Sequence, residues 1–299
     1  MERFERVIAE KLNQELADVH PLISGAVKYS VLSGGKRLRP HLVYEFCRMC
    51  GGRFDDADSA AVAIELIQSY SLIHDDLPCM DDDDMRRGKA SCHAVYGEAV
   101  ALLAGDALGS LAASVITNDK NLSDAQKVRI IAIINNLSGI RGMIGGQVLD
   151  MIYGESNNPY RLIKGLGEPP CPTAGDIERM YILKTGALLS AACQCGCICG
   201  DENVAEETLA DANTYAENLG LAYQITDDIL DVEGDENLLG KPLGSDSDNG
   251  KLTYLRFCSI DAAKARCEQL SLEAIAVLQR YPDNEQLIDI TKKLLDRQK

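Results

Sequence analysis

Positive charge is what this sequence is short of. Lys and Arg number 30 against 46 Asp and Glu, leaving a formal net charge of -16 over 299 residues. Nucleic acid and anionic membranes both attract basic surfaces, so neither is expected as a main partner. Any anion bound here must be held by local basic residues or by metal. Long apolar runs are scarce as well. The most apolar stretch, Ala99 to Ile116, is interrupted by Asp106 and rich in Ala and Gly, which predicts a buried helix and no membrane insertion. The opening MERFERVIAEKLNQEL threads charges through its apolar positions and lacks the core of a signal peptide. A cytoplasmic protein is expected.

The 11 cysteines lack regular disulfide spacing, and their count is odd, which points to reduced thiols. In the run CQCGCIC, a helix would put Cys193 and Cys197 on one face and Cys195 and Cys199 on nearly the opposite one. The four could not then share a tetrahedral ion, and with Gly196 and Gly200 beside them they read as small core residues. CRMC at 47–50 has zinc-like spacing without a second half.

Strand signals are scarce, and apolar residues recur at helical spacing in AAVAIELIQSYSLIHDD and EETLADANTYAENLGLAYQITDDILDV. Helix starts are marked at Ser123-Asp124 and at Asp176 with Glu178 behind it. Breakers gather in SGGKRLRP, DDLPCMDDDDMRRGK, GEPPCPTAGD and GDENLLGKPLGSDSDNGK. With no fixed-period repeat and no low-complexity linker, the sequence predicts one all-α domain over 1–299.

Two breaker regions carry acid clusters at the ends of apolar helices. In YQITDDILD, Asp227 and Asp231 share a helical face, Asp228 lies about 100° round, and Gln224 falls on the same side as Asp227. Oxygen-only ligands suit a hard cation such as Mg²⁺, which commonly bridges carboxylates to phosphates. In QSYSLIHDDLPCMDDDD, Gln68, Ser71 and Asp75 share a face before Pro78 ends the helix, and the chain must loop for Asp81 to rejoin Asp75 and Asp76. Arg86 and Arg87 follow, with guanidinium groups shaped for phosphate oxygens. GGKRLRP adds Lys36, Arg37 and Arg39, LKTGAL adds Lys184 and Thr185, and LGKPLGSDSDNGKLTY adds Lys241 and Lys251. Each basic element alone reads as a solvated turn. Together with two acid clusters they point to a diphosphate.

These motifs, in this order, resemble the short-chain trans-isoprenyl diphosphate synthases, in particular the bacterial-type farnesyl diphosphate synthase branch, along the whole chain. The resemblance implies an isoprenoid synthase fold, a homodimer, and a central cavity flanked by two aspartate helices. It implies three Mg²⁺ held by Asp75, Asp76 and Asp81 and by Asp227, with Asp228 and Asp231 in support. Arg86, Lys184 and Lys241 would then sit on the allylic diphosphate, with Thr185 and Gln224 as hydrogen-bonding partners. Isopentenyl diphosphate would occupy a metal-free pocket of Gly35, Lys36, Arg39, Gln68 and Arg87; many bacterial relatives carry His where this chain has Gln68. Gln147 and Asp150 of GGQVLD would form the lower wall. Tyr70, about 7.5 Å down the helix from Asp75, and Ser71 would set product length at fifteen carbons.

The same chemistry with one more condensation, geranylgeranyl diphosphate synthesis, is the nearest alternative. A terpene cyclase needs no second diphosphate site, a non-catalytic partner subunit would usually have lost acidic ligands, and an acidic Ca²⁺-binding scaffold would not need the basic elements.

Overall fold

A computed structural model describes residues 2–155, 157–233 and 251–296. Lys241 lies outside the described residues. The helices are α1 (Glu2–Glu15), α2 (Pro21–Val31), α3 (Leu38–Met49), α4 (Phe54–Asp75), α5 (Cys92–Tyr96), α6 (Glu98–Thr117), α7 (Asp124–Ser138), α8 (Met143–Tyr153), α9 (Pro159–Leu162) and α10 (Ala174–Tyr181). They continue through a π-helical turn (Ile182–Gly186), α11 (Ala187–Gly200), α12 (Glu206–Glu233), a 3₁₀ turn (Tyr254–Arg256), α13 (Ile260–Leu278) and α14 (Glu285–Asp296). Among the described residues the only strands are β1 (Met85–Arg86) and β2 (Lys89–Ala90), an antiparallel hairpin. Its two-residue turn has positive φ at Arg87 (53°) and Gly88 (74°), the combination that matches the twist of paired strands. The sequence reading missed this hairpin, and the Arg-Gly pair was its signal.

The chain forms two compact units. The first comprises 1–134 and 192–204, the second 135–191 and 205–299. In the first, α4 is the central helix and carries buried residues all round, from Ala57 through Ile73. A helix without a polar face must be enclosed, and α1, α2, α3 and α6 pack on it. Small side chains at Ala57, Ala60, Ala61 and Ala63 let the neighbours approach, and Ile64, Leu66 and Ile67 fill the remaining space. Each large apolar side chain so buried contributes roughly 1.5–3 kcal/mol. The cysteine-rich end of α11 lies on α3 almost backbone to backbone: a Cβ on Gly196 would stand 2.4 Å from the Val43 carbonyl oxygen. Cys193, Cys195, Cys197 and Cys199 are buried and free, as core residues.

Two sequence expectations need correction. The helix α6 is less buried than predicted, since 39% of its apolar window is covered and Leu102 and Leu103 are exposed. Composition alone reports how apolar a helix is and not what covers it. The helix α10 starts earlier than Asp176: Thr173 is the N-cap, and Asp176 completes a capping box three residues on.

In the second unit α12 packs against α13, α14, α10 and the π turn. Tyr215 is fully buried, and its hydroxyl donates to the Leu287 carbonyl at 3.3 Å. The approach of α12 to the π turn rests on glycine, because a Cβ on Gly220 would stand 2.8 Å from the Gly186 Cα.

Candidate active site

The first unit carries the DDLPCMD motif. Pro78 has no amide to continue the helix, and α4 ends at Asp75. The chain then loops back, as the Asp81 amide donates to the Asp75 carbonyl at 2.9 Å and the Asp82 amide to the Leu77 carbonyl at 3.2 Å. The two extra residues are absorbed in that loop, which brings Asp81 back to the helix end. Asp75 is half-buried and Asp81 exposed, whereas Asp76 is buried. Its carboxylate accepts from the Arg86 guanidinium, Nε to Oδ1 at 2.8 Å. Burial pushes the Asp76 carboxyl upward in pKa, and Arg86 pulls against it.

Arg87 turns the other way. Its guanidinium donates to the Gly34 carbonyl and, at 3.5 Å, to the Ser33 hydroxyl. Gly35 has φ +133°, which calls for glycine, and a Cβ there would stand 2.7 Å from the Arg87 Cζ and push the guanidinium aside. The hairpin turn after Arg86 therefore sends two consecutive arginines to two places, one to the aspartates and one to the GGKRLRP loop. A cavity of about 30 Å³ has Tyr29, Ser69, Asp76, Arg86, Arg87 and Lys89 in its wall. That is room for about one water.

Arg37 does not belong to the anion-binding set with which the sequence grouped it. It is buried, has φ +49°, and forms ion pairs with Glu65 at 2.6 Å and Glu5 at 2.8 Å. Its alternation with Lys36 and Arg39, which are not buried, puts it on the core side of the loop. Gln68 sits half-buried on α4, where its carbonyl accepts from the Ser71 hydroxyl at 3.0 Å.

The second unit carries the other motif. Asp228 and Asp231 are buried, and Asp227 is half-buried. One oxygen of Asp228 accepts from the Tyr181 hydroxyl at 2.7 Å and from the Tyr254 amide at 2.9 Å. Burial, followed by the charge of Asp228, raises the Tyr181 pKa far above the usual phenol range, so its proton stays on oxygen. One turn along, the Thr185 hydroxyl donates to the Gln224 side-chain oxygen at 2.8 Å, so the two residues expected to bond a diphosphate here bond each other. Lys184 meets Asp150 of α8 in an ion pair. The close seating of α8 explains GGQVLD, since a Cβ on Gly146 would stand 2.2 Å from the Lys184 amide nitrogen. Tyr181 and Tyr254 were not anticipated. Tyr181 lies one turn before Thr185, and that spacing was the available signal.

Among the described residues, no three His, Cys, Asp or Glu side chains are grouped closely enough to hold a metal ion unaided. The donors still fit Mg²⁺, which keeps several waters and is usually held by one or two carboxylates together with substrate phosphates. Carboxylates at a helix end and in the loop just beyond it, beside guanidinium groups, fit a cation that arrives with a polyanion.

An all-helical chain with aspartates and arginines so arranged has the features of a diphosphate-handling protein. It matches the family described as Polyprenyl synthetase over residues 20–294. Among curated relatives, the chain is 42% identical to the farnesyl diphosphate synthase of Haemophilus influenzae over 262 residues, 88% of this chain and 84% of that one. It is 40% identical to geranylgeranyl pyrophosphate synthase 3, chloroplastic, of Arabidopsis thaliana, over 89% of this chain and 72% of that one. Among solved structures, an FPP/GFPP synthase from Zymomonas mobilis superposes with a TM-score of 0.84 at 32% identity, over 98% of this chain and 97% of that one. A geranyltransferase from Helicobacter pylori, complexed with magnesium and isoprenyl diphosphate, gives 0.78 at 28% identity, over 99% and 97%. The chain belongs to the polyprenyl synthetase family and has its all-α isoprenoid synthase fold.

Proposed function

We propose that this chain is a farnesyl diphosphate synthase, a transferase whose residues 1–299 form one polyprenyl synthase domain. It condenses isopentenyl diphosphate with dimethylallyl and then geranyl diphosphate to give (2E,6E)-farnesyl diphosphate. The observation that carries this reading is the divergence of Arg86 and Arg87. It supplies one anion site beside carboxylates and a second beside Gly34, Lys36 and Arg39. A reaction with two diphosphate substrates needs both, and a cyclase needs one.

Breaking the allylic C–O bond moves negative charge onto the leaving diphosphate, where fixed positive charge helps most. Asp75, Asp76 and Asp81, with Asp227 and the supporting Asp228 and Asp231, are the residues that would hold Mg²⁺, three ions per site. When bound, Mg²⁺ neutralises charge on the diphosphate oxygens. Asp76, now held by Arg86, would be available to the cation if that guanidinium turned to a phosphate oxygen instead. Lys184 and Lys241 add charge to the same diphosphate, and Thr185 and Gln224 add hydrogen bonds.

Gly35, Lys36, Arg39, Gln68 and Arg87 hold the diphosphate of isopentenyl diphosphate without metal. The isopentenyl double bond attacks the allylic cation, and the adduct loses a proton to the departed diphosphate. Tyr70, with Ser71 beside it, forms the floor that stops growth at fifteen carbons.

The protein is cytoplasmic and works as a homodimer. Exposed Leu102 and Leu103 on α6 provide an apolar face for a second copy to cover. Labelled isopentenyl diphosphate, offered with each allylic primer and Mg²⁺, tests the activity through product length after dephosphorylation. A fifteen-carbon product is expected, a twenty-carbon product would make the chain a geranylgeranyl diphosphate synthase, and no condensation would overturn the reading.

A further inference from the structure

Tyr70 does not stand by itself. Its ring meets that of His74, one turn along α4, edge to face with centroids 4.9 Å apart and planes at 89°. His74 is in turn tied to α6. Its Nε2 lies 3.0 Å from the Leu102 carbonyl oxygen, which can only accept, so this nitrogen carries the proton. Asp106, one turn further along α6, has Oδ1 at 3.9 Å from the same nitrogen. The imidazole fits there because position 105 has no side chain. A Cβ on Gly105 would stand 2.1 Å from His74 Nε2 and 2.4 Å from Cδ2, inside any tolerable contact.

We propose that His74 is a positioning residue for product length: anchored on α6 in the space left by Gly105, it braces the Tyr70 ring in the attitude that closes the floor. This rests on the reading of Tyr70 as that floor. A phenol on a helix has two soft torsions, and a growing isoprenoid pushing on an unbraced ring can swing it aside. An edge-to-face partner held by a backbone hydrogen bond removes that freedom. Without the imidazole, Tyr70 keeps its size but loses its fixed orientation. The tyrosine hydroxyl stays protonated in this setting, since burial and then the charges of Asp75 and Asp106 raise its pKa.

The test compares Tyr70→Ala, His74→Ala, Gly105→Ala and the His74→Ala/Gly105→Ala double variant. Each is assayed in the full-length protein with isopentenyl and geranyl diphosphates and Mg²⁺ at matched turnover. The readout is the ratio of twenty- to fifteen-carbon product, which a loss of stability alone would not move. Tyr70→Ala should lengthen the product. His74→Ala and Gly105→Ala should each raise the ratio several-fold to about tenfold, the scale of one aromatic pair. The double variant should match His74→Ala, because Gly105 acts through His74. If Gly105→Ala does not fold, His74→Ala decides. An unchanged ratio in His74→Ala beside lengthened product from Tyr70→Ala overturns the bracing role and leaves the floor standing. No change in Tyr70→Ala overturns the floor itself.

Discussion

The amide of Asp81 donates to the carbonyl of Asp75 at 2.9 Å. The return of the acidic loop to its helix thus has a backbone tie that removal of a side chain there leaves in place. Asp75→Ala and, on α12, Asp227→Ala should each cut turnover by at least about a hundredfold at saturating Mg²⁺. Circular dichroism should be unchanged, and the melting temperature equal or higher, because like-charge repulsion is relieved. Near-normal turnover in either variant would remove that residue from the metal set.

Lys36→Ala and Arg39→Ala should act on one substrate. Charge-assisted contacts of this kind contribute about 1.5–3 kcal/mol, so the KM for isopentenyl diphosphate should rise roughly ten- to 150-fold. The KM for geranyl diphosphate should stay within about threefold. Equal loss for both substrates would place these residues in the wrong pocket.

Arg37→Ala, in the same short loop, should behave in the opposite manner. It strands Glu65, whose side chain is 5% exposed, and losing one partner of a buried pair costs about 3–5 kcal/mol. Urea unfolding should show that loss, while the KM for isopentenyl diphosphate in the remaining folded protein stays near normal. A large KM effect with unchanged stability would return Arg37 to the binding set.

The buried thiols predict an alkaline limit. Burial pushes the Cys47 thiol from 9.0 up to about 12, and burial also raises Cys193, Cys195 and Cys199. Above pH 9 the unfolded chain releases these protons while the folded chain keeps them. Their stabilising contribution is therefore complete below pH 9 and is lost as pH rises towards 12. Urea midpoints should fall steeply between pH 9 and 11. Cys47→Ala should shallow the decline by about 1.4 kcal/mol per pH unit; an identical slope would mean that Cys47 ionises in the folded protein.

Much of the site could be read from local spacing. The loop at Pro78 and the helical fold depend on residues close in the chain or on periodicity, whereas Thr185 and Gln224, 39 residues apart, meet only through the fold. The remainder depends on distant partners. Arg37 reads like Lys36 and Arg39 because its distinguishing contacts, Glu5 and Glu65, lie 32 and 28 residues away. Asp76 reads like Asp75, and only the hairpin turn at Arg87 and Gly88 aims Arg86 at one of them. The exposure of Leu102 and Leu103 depends on what lies opposite α6, which composition does not encode.

The pairs Tyr181–Asp228 and Thr185–Gln224 advance four residues on one segment and retreat four on the other. They work like two teeth of a rack. Shift α12 by one turn, about 5.4 Å, in one direction, and Thr185 would face Gly220, which has no side-chain acceptor. In the other direction Tyr181 would face Val232, whose side chain likewise cannot accept. Neither neighbouring notch engages both teeth, so the height of Asp227 above Lys184 is single-valued, and any motion that carries α12 towards a ligand must be a tilt or a roll and not a slide.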